Sequence, residues 1–421
     1  MLLTNIQIHN YKAIADMEIV LKPGVNLLIG NNGVGKTSIL EAITVGLSGY
    51  FKGIKGVSSR GITQSDVRFT MKPAGDASSA KICYTPVEID CEGSWESENY
   101  NWSIFRKDEL GTSRTTVSST PLVKKIRQKI NNTSSTLPVI VYQSTTRIAS
   151  FRRGDYAASI KKMNDRRAGY IGCVSNALDA KAITAWCLKM DMAEYKQKHE
   201  IQEYETFKKT VIRFMAEMEE TTDTPVLSYD TTVDELTYGT KDCVYPISYL
   251  SAGYQSILWM VMDLAYRNAL LNPHTTDPEE IHGIVLIDEI DMHLHPKWQW
   301  KVVPALQKTF PNMQFIIATH SPIIISSCKC ANLALLQEDH TISYEDCAYA
   351  YSIRDIVEVI QGSDSIPHVL RKLSNDFDEA LNDENYQEAG SILNEMTEKF
   401  GVNNAQVKSA KFELGVETGE V

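Results

Sequence analysis

Residues Val25 to Ser38 read VNLLIGNNGVGKTS. Val25 to Ile29 read as a buried strand, and Gly30, Gly33 and Gly35 punctuate the loop after it. Lys36 and Thr37 then open a run in which Ile39, Leu40, Ala42 and Ile43 recur at helical spacing. A strand, a glycine loop and a helix in that order give GxxxxGK[ST] the context of a phosphate-binding loop. Glycines let successive backbone N–H groups turn inward around a phosphate, and the helix N-terminus adds partial positive charge. Asn31, Asn32, Gly33, Val34, Gly35 and Ser38 are thus expected to line a bound nucleotide. Lys36 is expected on the β- and γ-phosphates, and the Thr37 hydroxyl on Mg²⁺. The stretch implies a nucleoside triphosphate, ATP, bound with Mg²⁺.

A chain of 421 residues allows two or three domains, and 43% apolar residues suffice for a large core. The net charge of −11 excludes a uniformly basic nucleic-acid binder while leaving room for local basic patches. Eight cysteines are scattered without a CxxC, the close pair being Cys328 and Cys330, which suggests a reducing compartment and no zinc site. The start, MLLTNIQIHN, alternates like a strand, and no stretch approaches the roughly 18 apolar residues of a membrane span. A cytoplasmic protein is expected.

Further along, Leu2 to Ile8 and Met17 to Leu21 read as antiparallel strands that feed the loop strand. Between them, Lys12 and Tyr11 are either base contacts or plain surface residues. Leu137 to Tyr142 (LPVIVY) is a buried strand followed at once by Gln143. That glutamine is either a Mg²⁺ ligand sensing the γ-phosphate or a hydrogen-bonded loop residue. Arg147, Arg152, Arg153, Lys161, Lys162, Arg166 and Arg167 form the most basic segment, against Asp155 and Asp165. It is either a DNA or RNA contact or a solvated face. Ala180 to Met218 reads as helical but never settles into repeated heptads. Leu250 to Gln255 (LSAGYQ) opens a strongly apolar helix with Ser251 as N-cap and Gly253 leaving backbone N–H groups uncovered. Ile284 to Ile287 is an apolar strand ending in Asp288 and Glu289. Two carboxylates at the mouth of a buried strand are expensive unless they serve a metal or a proton transfer. Asp288 fits the Mg²⁺ shell and Glu289 the base that orients attacking water. Asp291, His293 and His295 come next, as either zinc ligands or a subunit-contacting loop. Gln314 to Thr319 is another strand, and His320 at its carboxyl end lies where a γ-phosphate would accept a hydrogen bond. From Asp376 onward the chain reads as an acidic helical tail.

GNNGVGKTS, YQSTTR, LSAGYQS, VLIDEID with HLHP, and IIATHSP occur in the order P-loop, Q-loop, signature, Walker B with D-loop, and switch histidine. Over Met1 to Ile325 this resembles the ABC-type ATPase head of the RecF, SMC and overcoming-lysogenization-defect group. The resemblance implies an α/β head with a mixed core sheet, N-terminal antiparallel strands, a helical lobe and a short helical tail. It divides the chain into head halves at 1–150 and 246–345, a helical lobe at 151–245 and a tail at 346–421. It also implies a homodimer in which Ser251 and Gly253 act in trans on the partner's ATP, with Asp291 to His295 between subunits. Ala252 and Tyr254 depart from the group's LSGGQ, which points to slow hydrolysis used as a switch. The lack of a coiled-coil arm argues against SMC-like tethers, and Asp376 and Asp378 in a helical context argue against a fused Toprim nuclease. What remains is similar to the stand-alone ATPase subunits of bacterial anti-phage systems, the PtuA family of Septu and related retron operons. That similarity implies a separate HNH nuclease partner, PtuB, and no membrane. The alternative is a RecF-like repair ATPase acting directly on DNA; a transporter ATPase fits the order of strands less well.

Overall fold

The computed structural model describes residues 1–57, 59–73, 79–110, 116–118, 120–145, 165–174, 179–219, 224–329, 331–345 and 348–419. They form two compact units, Met1–Tyr351 and Ser352–Val421.

The first unit is built on the glycine-loop strand. Strands are numbered along the chain: β1 (Leu2–Tyr11), β2 (Ile14–Val20), β3 (Val25–Ile29), β4 (Phe69–Pro73), β5 (Ser79–Cys83), β6 (Val87–Trp95), β7 (Glu98–Arg106) and β8 (Thr116–Ser118). They continue with β9 (Val139–Gln143), β10 (Val226–Asp230), β11 (Glu235–Gly239), β12 (Val244–Pro246), β13 (His282–Ile287), β14 (Asn312–Thr319), β15 (Asn332–Leu336) and β16 (Ile342–Glu345). The core sheet runs in the order β16-β15-β3-β14-β13-β9, parallel throughout except for β16. Its central strands are apolar along almost their whole length because both faces are covered. A second sheet, β2-β1-β6-β7-β8, is antiparallel. This is the mixed architecture that the sequence implies.

One buried amide joins the two sheets and a second holds the loop that leads into β3. Gln314 on β14 accepts from the Leu3 amide at 2.8 Å and donates to the Leu3 carbonyl at 2.7 Å. The Asn26 side chain accepts from the Lys22 amide and donates back to its carbonyl, both at 2.8 Å. Each gives two backbone groups the partners that burial demands. The P-loop helix, Lys36–Phe51, lies close against the second sheet. A Cβ on Gly49 would come within 2.4 Å of the Trp102 ring, and the Trp102 indole donates to the Gly46 carbonyl at 2.7 Å.

Helices Ala180–Gln197 and Gln202–Glu219 follow one another across residues 198–201. Trp186 packs edge-on against Tyr204, Phe207 and Tyr266 to hold that pair on the head. A three-stranded sheet β10-β11-β12 and a separate hairpin β4-β5 complete the unit. In the second unit, helices His368–Asn382, Tyr386–Phe400 and Ala405–Thr418 close around Leu370, Phe377, Ala389, Met396 and Val407. Among the described residues, no helix is long and apolar enough to cross a membrane.

Candidate nucleotide site

Parallel strands in register bring their carboxyl ends to one edge. Ile29 pairs with Thr319, and Ile287 pairs with both Ile317 and Gln143. The loops after β3, β13, β14 and β9 therefore converge, which is where open α/β sheets bind ligands.

After β3 the chain turns at Gly33 (φ 89°) and Gly35 (φ 103°), a left-handed backbone that favours glycine. Nothing lies within 4 Å of where a Cβ would stand on either, so the backbone conformation and not lack of space calls for glycine here. Lys36 is 7% exposed and donates from Nζ to the carbonyls of Gly30 at 2.7 Å and Asn31 at 3.0 Å. Burial lowers its ammonium pKa, while Glu289, Asp288 and Asp291 push it back up. The Thr37 hydroxyl donates to Asp288 Oδ2 at 2.9 Å. Asp288 is 1% exposed, and a hydroxyl beside a buried carboxylate at the loop's mouth is a donor set suited to a hard divalent cation. Asn31, Asn32, Gly33 and Val34 lie on the loop before Thr37, and Ser38 follows it in the first helical turn.

Glu289 comes next with φ 45°, a conformation that side-chain-bearing residues seldom adopt, and His293 repeats it at 65°. The chain after Asp288 thus doubles back. Asp291 Oδ1 accepts from the Thr319 hydroxyl at 2.5 Å, and its Oδ2 lies 3.8 Å from His320 Nε2. The Ser321 hydroxyl, 2.7 Å from Gln299, caps the short helix Pro322–Ser327. Asp291, His293 and His295 have separate tasks: His295 Nδ1 accepts from the Lys297 amide and caps helix Pro296–Thr309. They do not converge as zinc ligands.

Ser251 caps the signature helix, Ala252–Leu271, and is exposed. Gly253 packs on the loop after Asp288: a Cβ there would stand 2.7 Å from the His293 carbonyl oxygen. Tyr254, one of the departures from LSGGQ, has a structural use. Its ring lies 4.3 Å from that of Trp298, and its hydroxyl bonds Glu219 at the end of the lobe helix. Burial, with the Glu219 carboxylate beside it, pushes its phenol up to about 12.

Three expectations need correction. Gln143 ends β9 at the right edge, but its side chain is 2% exposed and donates to Asp263 on the signature helix at 2.8 Å. That bond makes Gln143 the hydrogen-bonded residue of the two alternatives. Tyr11 is fully buried, its hydroxyl on Asp66, and is neither base contact nor surface residue. In the basic segment, Arg166 is taken up internally by the carbonyls of Leu271, Asn132 and Ser135, and Arg167 by Asp165 and Asn131. Arg147, Arg152, Arg153, Lys161 and Lys162 lie outside the described residues. Lys12 reaches back to Glu41 on the P-loop helix, which Arg60 also meets at 3.3 Å.

A glycine loop, a buried hydroxyl–carboxylate pair, an adjacent glutamate and a histidine on the next strand define an ABC-type P-loop ATPase head. Comparison with known proteins agrees. The family described as an AAA domain matches residues 5–220, and one described as an AAA domain, putative AbiEii toxin, Type IV TA system, matches residues 250–326. The chain is 24% identical over 380 residues to the Retron Vc95 probable ATPase of Vibrio cholerae, covering 80% of this chain and 73% of that protein. It is 22% identical over 406 residues to the Septu protein PtuA of Bacillus thuringiensis, covering 91% and 90%. With the Retron Ec83 probable ATPase of Escherichia coli it shares 34% identity over 172 residues, 39% of this chain and 31% of that protein. The chain belongs to the AAA domain family, and over most of its length it is similar to the retron ATPase and to PtuA.

Proposed function

We propose that this chain is the ATP-binding subunit of a bacterial anti-phage defence complex, in which ATP-dependent dimerisation regulates an HNH nuclease supplied in trans. The observation that carries the reading is the Thr37–Asp288 bond at 2.9 Å with Glu289 next in the chain, in a protein similar to a retron ATPase and to PtuA over most of its length. Thr37 and Asp288 would hold Mg²⁺, which would neutralise charge on the phosphate oxygens. The loop amides from Asn31 to Gly35 would receive the phosphates. Lys36 would exchange its two carbonyl partners for phosphate oxygens, which are stronger acceptors. Glu289 would orient the attacking water and take its proton, and His320, steadied by Asp291, would donate to the γ-phosphate. Ser251 and Gly253 would close over the nucleotide of the partner subunit.

Mass-resolved size exclusion of the protein expressed with its neighbouring genes, with and without ATP and Mg²⁺, tests this reading. A stable complex with a small HNH protein is expected. An ATP-dependent dimer that carries no nuclease and shifts onto DNA would move the assignment to a RecF-like repair ATPase.

A further inference from the structure

Strands β4 and β5 form a two-stranded sheet of their own. Such a ribbon is marginal in water unless something anchors it. Here the anchor is Asn10 on β1. Its carbonyl accepts from the Arg68 amide at 3.0 Å, and its side chain donates to the Pro86 carbonyl, also at 3.0 Å. Both ends of the ribbon are thus tied to one residue of the larger antiparallel sheet.

Beyond that root the ribbon shows apolar surface on both faces. Phe69 pairs with Cys83 and Met71 with Lys81, which puts these four on one face, while Thr70 and Ile82 pair on the other. Phe69 is 51% exposed, Met71 54% and Ile82 36%. Apolar groups gathered on an exposed surface mark a place that a partner covers. Cations are set among them. Lys81 Nζ lies 4.8 Å from the centre of the Phe69 ring, and the Arg68 guanidinium lies 4.3 Å from that of Tyr84. Lys72 is exposed as well. The strands FTMKP and SAKIC hold no carboxylate, in a chain whose net charge is −11. Glu109 bonds the Cys83 thiol at the root end.

We propose that this ribbon is a binding site for single-stranded nucleic acid, with an unpaired base stacked on Phe69 and the adjoining phosphate on Lys81. Cations without carboxylates between them, on an acidic protein, select an anionic occupant. A half-exposed ring with a cation at its face is the arrangement that stacks bases without reading their sequence. Lys72 adds positive charge from the opposite face. A duplex keeps its base faces covered, so Phe69 reaches them only where the strand is single. The inference goes beyond the ATPase reading and is tested without nucleotide.

Fluorescence anisotropy of labelled oligothymidylate and oligouridylate with the full chain provides the test. The parent is expected to bind, more tightly at low salt. Phe69→Ala is expected to weaken binding about tenfold, and Phe69→Trp, which keeps a ring, to hold the parent affinity. Lys81→Gln is expected to make the slope of log affinity against log salt shallower by about 0.7, the share of one phosphate on a single strand. Phe412, 62% exposed on helix Ala405–Thr418, supplies the control: Phe412→Ala removes a similarly exposed ring and is expected to change nothing. Unchanged thermal unfolding in Phe69→Ala separates a lost contact from a lost fold. A parent that binds neither strand, or Phe69→Ala and Phe412→Ala variants that bind alike, would overturn the site. An equal loss of affinity for duplex DNA would overturn the stacking. So would a Phe69→Ala variant that keeps the single strand but sheds a protein in size exclusion, since the ribbon would then be a protein-docking surface.

Discussion

Glu289 holds φ at 45° in the position expected of the water-orienting base. For a residue with a Cβ, that left-handed backbone costs about 1–2 kcal/mol, part of which glycine would recover against its greater freedom when unfolded. Glu289→Gly is therefore expected to raise unfolding stability by roughly 0.5 kcal/mol in denaturant titration while abolishing turnover. Glu289→Gln, which keeps the strain, should retain ATP, prolong the dimer and slow hydrolysis by about 10²- to 10⁴-fold in single-turnover assays. Lys36→Ala should prevent ATP binding, as read by equilibrium dialysis. If the Lys36 and Glu289→Gln variants bound and hydrolysed like the parent, the site would lie elsewhere. Lys36, Thr37, Asp288 and Glu289 were legible because each is fixed by spacing from a strand or glycine next to it in sequence. The direction of Gln143 was not, since it is decided by Asp263, 120 positions later. Tyr254 reads as a mere departure until Trp298 and Glu219 are seen beside it.

Among the elements, the P-loop helix depends on a close approach that only a missing side chain permits. Gly49→Ala would put a methyl into the Trp102 ring, so a loss of about 1–3 kcal/mol is expected, with weaker ATP binding as the helix shifts. Thermal unfolding beside nucleotide titration checks both. At the start of β13, burial is the main cause that lowers the His282 imidazole to about 4, with the chain's amino terminus adding to it. The unfolded chain, with an ordinary value near 6.5, binds a proton that the fold refuses between those limits. Stability is thus unaffected above pH 6.5 and declines as the pH falls toward 4, by about 3 kcal/mol in all. His282→Gln should flatten that acid limb in pH-dependent denaturation. Element legibility was uneven for physical reasons. The fully buried strands announce themselves by continuous apolar runs. Strand β6 escapes a reading of that kind, although Val87, Ile89, Cys91 and Trp95 alternate with Glu88, Asp90 and Glu92, because the acidic side hides the buried one. So do β10 to β12, whose three to five residues each hold too few apolar positions for a period to stand out.

At the scale of the whole molecule, Ser251 is exposed although its motif is one that the dimer reading puts against a partner. Ser251→Arg is expected to leave ATP binding by the single subunit unchanged and to abolish the ATP-dependent shift in mass by light scattering. A variant that still dimerised with ATP would remove the trans role. The order of the core sheet has a consequence for synthesis of the chain. β3 lies between β14 and β15, so both strands that flank the glycine-loop strand are encoded in residues 312–336. A nascent chain that has made its phosphate loop cannot yet support it, and must carry exposed strand edges through nearly three hundred further residues. Nucleotide competence therefore arrives late in translation, and chaperone demand is expected to be greatest before it does. A subunit made this way is inert on the ribosome until almost the whole head has emerged.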